Sequence, residues 1–220
     1  MQPFVTHRGR VVVLDWSDVN TDLIIPARYL KRVERTGYGP LLFADKRYEP
    51  GGAPPVDNPE KHGPEVRDFP LNQPESQGAT ILIVGRNFGC GSSREHAVWA
   101  VAQAGFRALI APGKGEGFAD IFEGNAFQNG LLPIELKPAD WEVIASAGRS
   151  AGGAEVTIDL EHRTVALHPA QGAESTFSFE VPEAVRNRLL KGLDAIAETL
   201  INDEAIRSFE QKAPAWVVPS

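Results

Sequence analysis

The sequence predicts an α/β fold, and three observations carry that prediction. The run Thr80-Ile81-Leu82-Ile83-Val84 is apolar and β-branched, the composition of a buried strand. A turn holding Gly85, Gly89 and Gly91 then opens a helix-like run, Glu95 to Ala104, whose Ala, Val and Trp residues favour a buried face. A second buried run, Ala108-Leu109-Ile110-Ala111, follows. Strand, glycine turn, helix, strand is a βαβ unit, so a parallel pair is expected.

The remaining elements follow in chain order. Arg10 to Asp15 is an apolar run with a polar lead, a first strand. Val19-Asn20-Thr21-Asp22 is a turn into Leu23-Ile24-Ile25-Pro26, and Ala27 to Val33 is a short helix after the proline. Residues 49–74 are rich in proline, glycine and charge and predict a long irregular loop, functional or mobile. Phe69 to Glu75 returns the chain to the sheet. Gly113-Lys114-Gly115-Glu116-Gly117 predicts a flexible loop; without a following Ser or Thr, Lys114 does not make it a phosphate loop.

Glu116 to Phe127 is the next helix and Leu131 to Leu136 the next strand. Pro138 to Ala147 has helical spacing, with Trp141, Ile144 and Ala145 on one face. Glu155 to Leu160 and Thr164 to His168 alternate as a hairpin, followed by a strand from Ser175 to Val181. Pro182 to Lys191 is a helix broken at Gly192, with Ala195 to Leu200 and Asp203 to Lys212 as further helices and Trp216 as an anchor for the tail. There is no internal repeat and no clean linker. Residues 1–220 are therefore read as one domain, with the 49–74 loop inside it and a helical extension over 182–220.

Composition narrows the function classes. A chain of 220 residues is long enough for one good core with appendages. A formal charge of −7 disfavours broad binding to nucleic acid or to anionic membranes. No apolar run approaches membrane-spanning length and Met1-Gln2-Pro3 does not begin a signal peptide, so a cytoplasmic protein is expected. Cys90 is the one cysteine, so no internal disulfide can form, and the chain lacks the several thiolates an iron–sulfur cluster needs. No two of its histidines have close ligand spacing, and no metal site is expected in this chain.

The turn Gly85 to Arg94 is the candidate site. Its glycines permit positive φ and close approach to the backbone. Ser92 and Ser93 stand where a helix N-cap would fall, and free N–H groups at that helix end favour an anion. Ser92 with Glu95 also reads S-x-x-E, a capping box, and the local pattern alone favours a cap over chemistry. Arg94 lies in the first helical turn, where the dipole disfavours a cation. That cost points to a task such as forked pairing with a carboxylate or phosphate. Cys90 reads as a small turn residue and His96 as a structural helix residue.

The stretch GCGSSREHA resembles the signature of the aconitase superfamily, in the part that swivels over the iron–sulfur domain. Two further runs are similar to a family within it, the separate small subunits of bacterial isopropylmalate isomerases. These are Asn20-Thr21-Asp22-Leu23-Ile24-Ile25-Pro26 and Phe118-Ala119-Asp120-Ile121-Phe122, the latter continuing to Gly130-Leu131-Leu132-Pro133. Order and spacing hold from about Val12 to Trp216; the chain departs from the pattern at Gly113 to Gly117, where the family has a shorter connection.

The resemblance implies a swivelling β/β/α domain with a C-terminal helical segment. It implies isomerisation of 2-isopropylmalate to 3-isopropylmalate by loss and re-addition of water, in leucine biosynthesis. It assigns Ser92 as catalytic base, Ser93 and Arg94 as support for the oxyanion and clamp for a substrate carboxylate, and Asp22 a supporting role. It makes Tyr29 to Gly39 a substrate-choosing segment, with Tyr29, Leu30, Arg32 and Arg35 as binding candidates. A 4Fe–4S cluster is expected in a large subunit, with this chain as the other half of a heterodimer or larger assembly. Alternatives are a homoaconitase- or citraconate-type small subunit, a stand-alone anion-binding module, and an RNA-binding regulator; the charge of −7 opposes the last.

Overall fold

The computed structural model describes residues 1–212. Seven strands form one continuous sheet: β1 (Thr6–Leu14), β2 (Ile81–Val84), β3 (Ala108–Pro112), β4 (Leu132–Leu136), β5 (Ala154–Asp159), β6 (Thr164–Pro169) and β7 (Ser175–Ser178). Their order is β4-β3-β2-β1-β5-β6-β7. The helices are α1 (Thr21–Ile24), α2 (Ala44–Arg47), α3 (Glu95–Gln103), α4 (Asp120–Gln128), α5 (Pro138–Arg149), α6 (Glu183–Lys191), α7 (Ala195–Leu200) and α8 (Asp203–Lys212). This is the α/β fold that the glycine turn and its flanking runs predict, with C-terminal helices following the sheet.

Strand β1 joins two kinds of sheet. On one side β1, β2, β3 and β4 run parallel, with Val12 opposite Leu82 and Leu109 opposite Pro133. On the other side β1 pairs antiparallel with β5, Gly9 facing Val156, and the β5–β6 hairpin and β7 extend the sheet. All four residues of β2 are buried because both faces are covered. Period-two alternation sends Leu82 and Val84 into the core beneath α3 and α4, and Ile81 and Ile83 into the core shared with α5. Residues Ile144 and Ala145 of α5 are buried in that second core, with Trp141 half-buried against it.

Several boundaries differ from expectation. β1 begins at Thr6 because its polar lead pairs with β5. Helix α4 begins at Asp120 rather than Glu116, since Glu116 and Gly117 accept hydrogen bonds from Asn87 and Phe88 and stay extended. β7 ends at Ser178, and Phe179 and Val181 bury in the second core beyond it. Residues Ala27–Lys31 form a 3-10 helix. The Trp216 anchor lies outside the described residues.

The 49–74 segment is irregular but tied down. Glu49 N–H donates to Pro64 O at 2.9 Å and Gly63 N–H to Gly52 O at 2.8 Å, while Asn72 Nδ2 donates to Arg47 O and Val66 O. A Cβ at Gly63 would fall 2.8 Å from Gly52 Cα, so only glycine permits this crossing. The Gly113–Gly117 loop is likewise held: the Glu135 carboxylate accepts hydrogen bonds from Gly115 N–H and, at 2.8 Å, from Gly117 N–H. These amides already have an anion, which leaves Lys114 no phosphate cradle.

Candidate active site

The loops following β1, β2 and β3 leave the sheet at the same carboxyl end, where clefts form in parallel sheets. Backbone hydrogen bonds stitch them together. From the first loop, Asp18 N–H donates to Arg86 O at 2.8 Å and Thr21 N–H to Cys90 O at 2.9 Å, while Gly89 N–H returns one to Val19 O at 2.8 Å. From the third loop, Ala119 N–H donates to Phe88 O at 3.0 Å, and Phe88 N–H to Gly117 O at 3.0 Å. The middle loop, which carries Ser92 to Arg94, is clamped on both sides.

Two glycines make this clamp possible. Gly89 has φ +81°, and a Cβ there would sit 2.2 Å from the Phe122 ring. Gly91, at φ +90°, turns the chain into Ser92. The result is a cleft of about 210 Å³ between two walls. Thr21, Ser92, Ser93 and Arg94 form one wall; Ala119, Ile121 and Phe122, at the start of α4, form the other. Both α3 and α4 begin here, and neither N-cap residue, Arg94 or Ala119, supplies a side-chain cap. Helix N-termini carry unpaired N–H groups and a partial positive charge, so the cleft favours an anion.

The capping-box expectation is overturned. The N-cap of α3 is Arg94, with φ −136° and ψ 100°, and Ser92 lies two residues outside the helix. The cause is Thr21, only 2% exposed, whose Oγ1 hydroxyl donates to Ser92 O at 2.9 Å and holds it in the loop. Ser92 and Ser93 are exposed, and their hydroxyls make no hydrogen bond among the described residues. Arg94 accordingly sits at the N-cap, not within the first turn.

The Arg94 guanidinium is paired with the Asp22 carboxylate, its side chain 15% exposed. That pairing offsets the unfavourable dipole. Yet buried Nη1 makes no aligned hydrogen bond, so the contact is one of charge. Asp22 is placed by α1, whose N-cap Asn20 accepts from Leu23 N–H at 2.8 Å.

Other candidates are placed differently. Burial, and secondarily Asp18, pushes the Cys90 thiol up, away from a reactive thiolate. With that lone thiol, and no group of three or more His, Cys, Asp or Glu arranged for a metal among the described residues, this donor set does not fit an iron–sulfur cluster. His96 packs between Tyr38 and Trp99, with ring centroids at 5.6 and 4.8 Å, and burial pushes its pKa down.

The Tyr29–Gly39 segment lies outside the cleft lining. Tyr29 is fully buried and donates to Pro54 O at 2.8 Å; Arg32 donates to Val56 O and, at 3.3 Å, to Thr36 O. Both bind this segment to the 49–74 loop. Leu30 is half-buried against the core, and Arg35 lies exposed over the Trp99 ring at 5.8 Å. Sequence reasoning passed over Thr21 and Ile121 as site residues. The only signal for them was membership of the Asn20-Thr21-Asp22 and Phe118-to-Phe122 runs.

The parallel half of the sheet, whose loops carry the Ser-Ser-Arg turn beside two helix N-termini, lies within residues 1–139, which the family model of the aconitase C-terminal domain matches; this is an aconitase-type domain. The chain is 48% identical over 216 residues to the 3-isopropylmalate dehydratase small subunit of Shewanella amazonensis, covering 98% of this chain and 99% of that one. It is 43% identical over 217 residues to the subunit of the same name from Bacillus subtilis, covering 99% of each. A crystal structure of a 3-isopropylmalate dehydratase from Methanocaldococcus jannaschii aligns with a TM-score of 0.58 at 27% identity, over 94% of this chain and 99% of the other. The chain belongs to the 3-isopropylmalate dehydratase small-subunit family.

Proposed function

We propose that this chain is the small subunit of a cytoplasmic 3-isopropylmalate dehydratase, a hydro-lyase of leucine biosynthesis. It converts 2-isopropylmalate to 3-isopropylmalate through 2-isopropylmaleate. The observation that carries the reading is that exposed Ser92 and the cation Arg94 line one cleft at two helix N-termini. No described helix is long and apolar enough to cross a membrane.

Each step assigns a task to a group in this chain. Arg94 grips a substrate carboxylate with its planar fork. Ser92 Oγ takes a proton from the carbon beside a carboxylate, and a proton is delivered to the adjacent carbon when water returns. Negative charge building on that carboxylate is met by Arg94, the Ser93 group and the free N–H groups at the start of α3. Asp22 orients Arg94. A free serine is a weak base, so Ser92 needs these donors and exclusion of water by the closed assembly.

The cleft is incomplete for a dianion. Arg94 is the one cation among the described residues lining it, and Asp120 adds a negative charge. A large subunit is proposed to supply further cations and a 4Fe–4S cluster, whose Lewis acidity assists departure of hydroxide. The Tyr29–Gly39 segment is proposed to help choose the substrate on closure, with Tyr29 and Arg32 holding its shape and Leu30 and Arg35 available for contact.

The test is reconstitution. Purified alone, the chain should be colourless and inactive on 2-isopropylmalate; mixed anaerobically with its cluster-loaded partner, it should restore hydration and dehydration. Isomerase activity from this polypeptide alone, without iron, would overturn both partner and mechanism.

A further inference from the structure

We infer that Ile121 is the wall against which the substrate's branched alkyl group packs, and that it thereby helps determine which 2-alkylmalate is accepted. The inference rests on the proposed reaction and goes on to assign the side-chain subsite.

Ile121 is a β-branched apolar residue in the first turn of α4, 54% exposed. Local preferences argue against it there. β-branching lowers helix propensity, and first-turn positions favour acidic or small polar residues. Its neighbour Phe122 is 2% exposed and packs into the core, edge-on to Phe88 at 5.3 Å. Residues adjacent in a helix are about 100° apart, so anchoring Phe122 leaves Ile121 at the cleft. The backbone beneath it is fixed by the Ala119-to-Phe88 hydrogen bond and by Glu123 N–H donating to Ala119 O at 2.9 Å. Ile121 is therefore an apolar surface held rigidly in place.

Across the cleft stand Ser92 and Arg94. One wall suits carboxylate and hydroxyl groups, the other an aliphatic branch. A malate carrying an isopropyl group has that same division. Val33 is more exposed, at 92%, but its segment does not line the cleft. Among the described lining residues, Ile121 is the large aliphatic side chain, and a cleft of about 210 Å³ leaves a branched substituent few other places to go.

The experiment uses enzyme reconstituted with the large subunit, comparing wild type with Ile121→Ala and Ile121→Leu on 2-isopropylmalate and 2-methylmalate. Ile121→Ala should lower the kcat/KM ratio of isopropyl over methyl substrate about tenfold. Ile121→Leu should restore most of it, with the titration midpoint for the large subunit unchanged in both. An equal loss on both substrates would overturn the subsite. So would an unchanged ratio with weakened subunit titration, which would make Ile121 a partner contact. If wild type turns over neither 2-alkylmalate, the proposed reaction itself falls, and that result is distinct from an active enzyme whose preference ignores Ile121.

Discussion

Arg94 and Asp22 form an ion pair that joins the N-terminus of α3 to the turn after β1. A cation at a helix N-terminus is disfavoured by the dipole, and the carboxylate offsets that cost. Nη1 is buried against that carboxylate without an aligned hydrogen bond, so the guanidinium is held there by charge.

Arg94→Lys keeps the charge and loses the fork. It should lower kcat/KM of the reconstituted enzyme about 100-fold, and Asp22→Asn about tenfold or less, as expected of a clamp and its orienting partner. Steady-state kinetics on both variants check this. Lysine working as well as arginine would reduce the role to general electrostatics.

Ser92 does not cap α3, so its removal separates chemistry from stability. Ser92→Ala should lower turnover at least about 100-fold. The unfolding free energy from urea titration should stay within about 0.5 kcal/mol of wild type, as at an exposed site. A stable, assembled variant with near-normal turnover would eliminate Ser92 as the base.

Thr21 fixes the loop that carries Ser92 through the hydrogen bond from its hydroxyl to Ser92 O. Thr21→Val removes its hydrogen bond to Ser92 O and should cost about 0.5–1.5 kcal/mol in urea unfolding. Turnover should fall too, because Ser92 is then free to slip toward the helix. Thr21→Ser, which keeps the hydroxyl, should recover most of the turnover. Full activity in Thr21→Val would show that Gly91 alone sets the loop.

His7 links stability to pH. Burial, then the nearby Arg107, lowers its pKa, and its Nε2 lies 2.7 Å from Thr80 Oγ1. The folded state thus binds a proton less readily than the unfolded chain, whose histidine titrates near about 6.5. The contribution is fully present above that value and is lost as pH falls through the lowered folded value. The drop in urea stability between about pH 7.5 and about pH 5, taken from above the unfolded value downward, should be smaller in His7→Gln than in wild type. Equal drops would assign the acid sensitivity to other groups.

Much of the architecture was legible locally. The β-branched run at Ile81–Val84, the alternation at Ala154–Asp159 and Thr164–Pro169, and the proline and glycine bounding Glu183–Lys191 are short-range signals. The Ser92-Ser93-Arg94 turn was legible because its glycines, hydroxyls and misplaced cation lie together. Burial of Tyr29 was less legible: its donation to Pro54 depends on the path of an irregular loop whose composition specifies no fold.

The sequence by itself determined the strands and the longer helices, though not the short helices Thr21–Ile24 and Ala44–Arg47, and that one glycine turn carries a serine and an arginine. Side-chain period, turn residues and chemical identity act over a few positions, so a linear reading contains them. Tertiary structure decided that β1 lies between β2 and β5, joining a parallel half-sheet to an antiparallel one. It decided that Ser92 is a free hydroxyl and not a cap, because the hydrogen bond that withholds it from the helix comes from Thr21, 71 positions earlier. It also brought Ile121 and Arg94 to one cleft. Hydrogen-bond partners and facing walls are set by how distant loops leave the same sheet edge, and no local periodicity encodes that meeting.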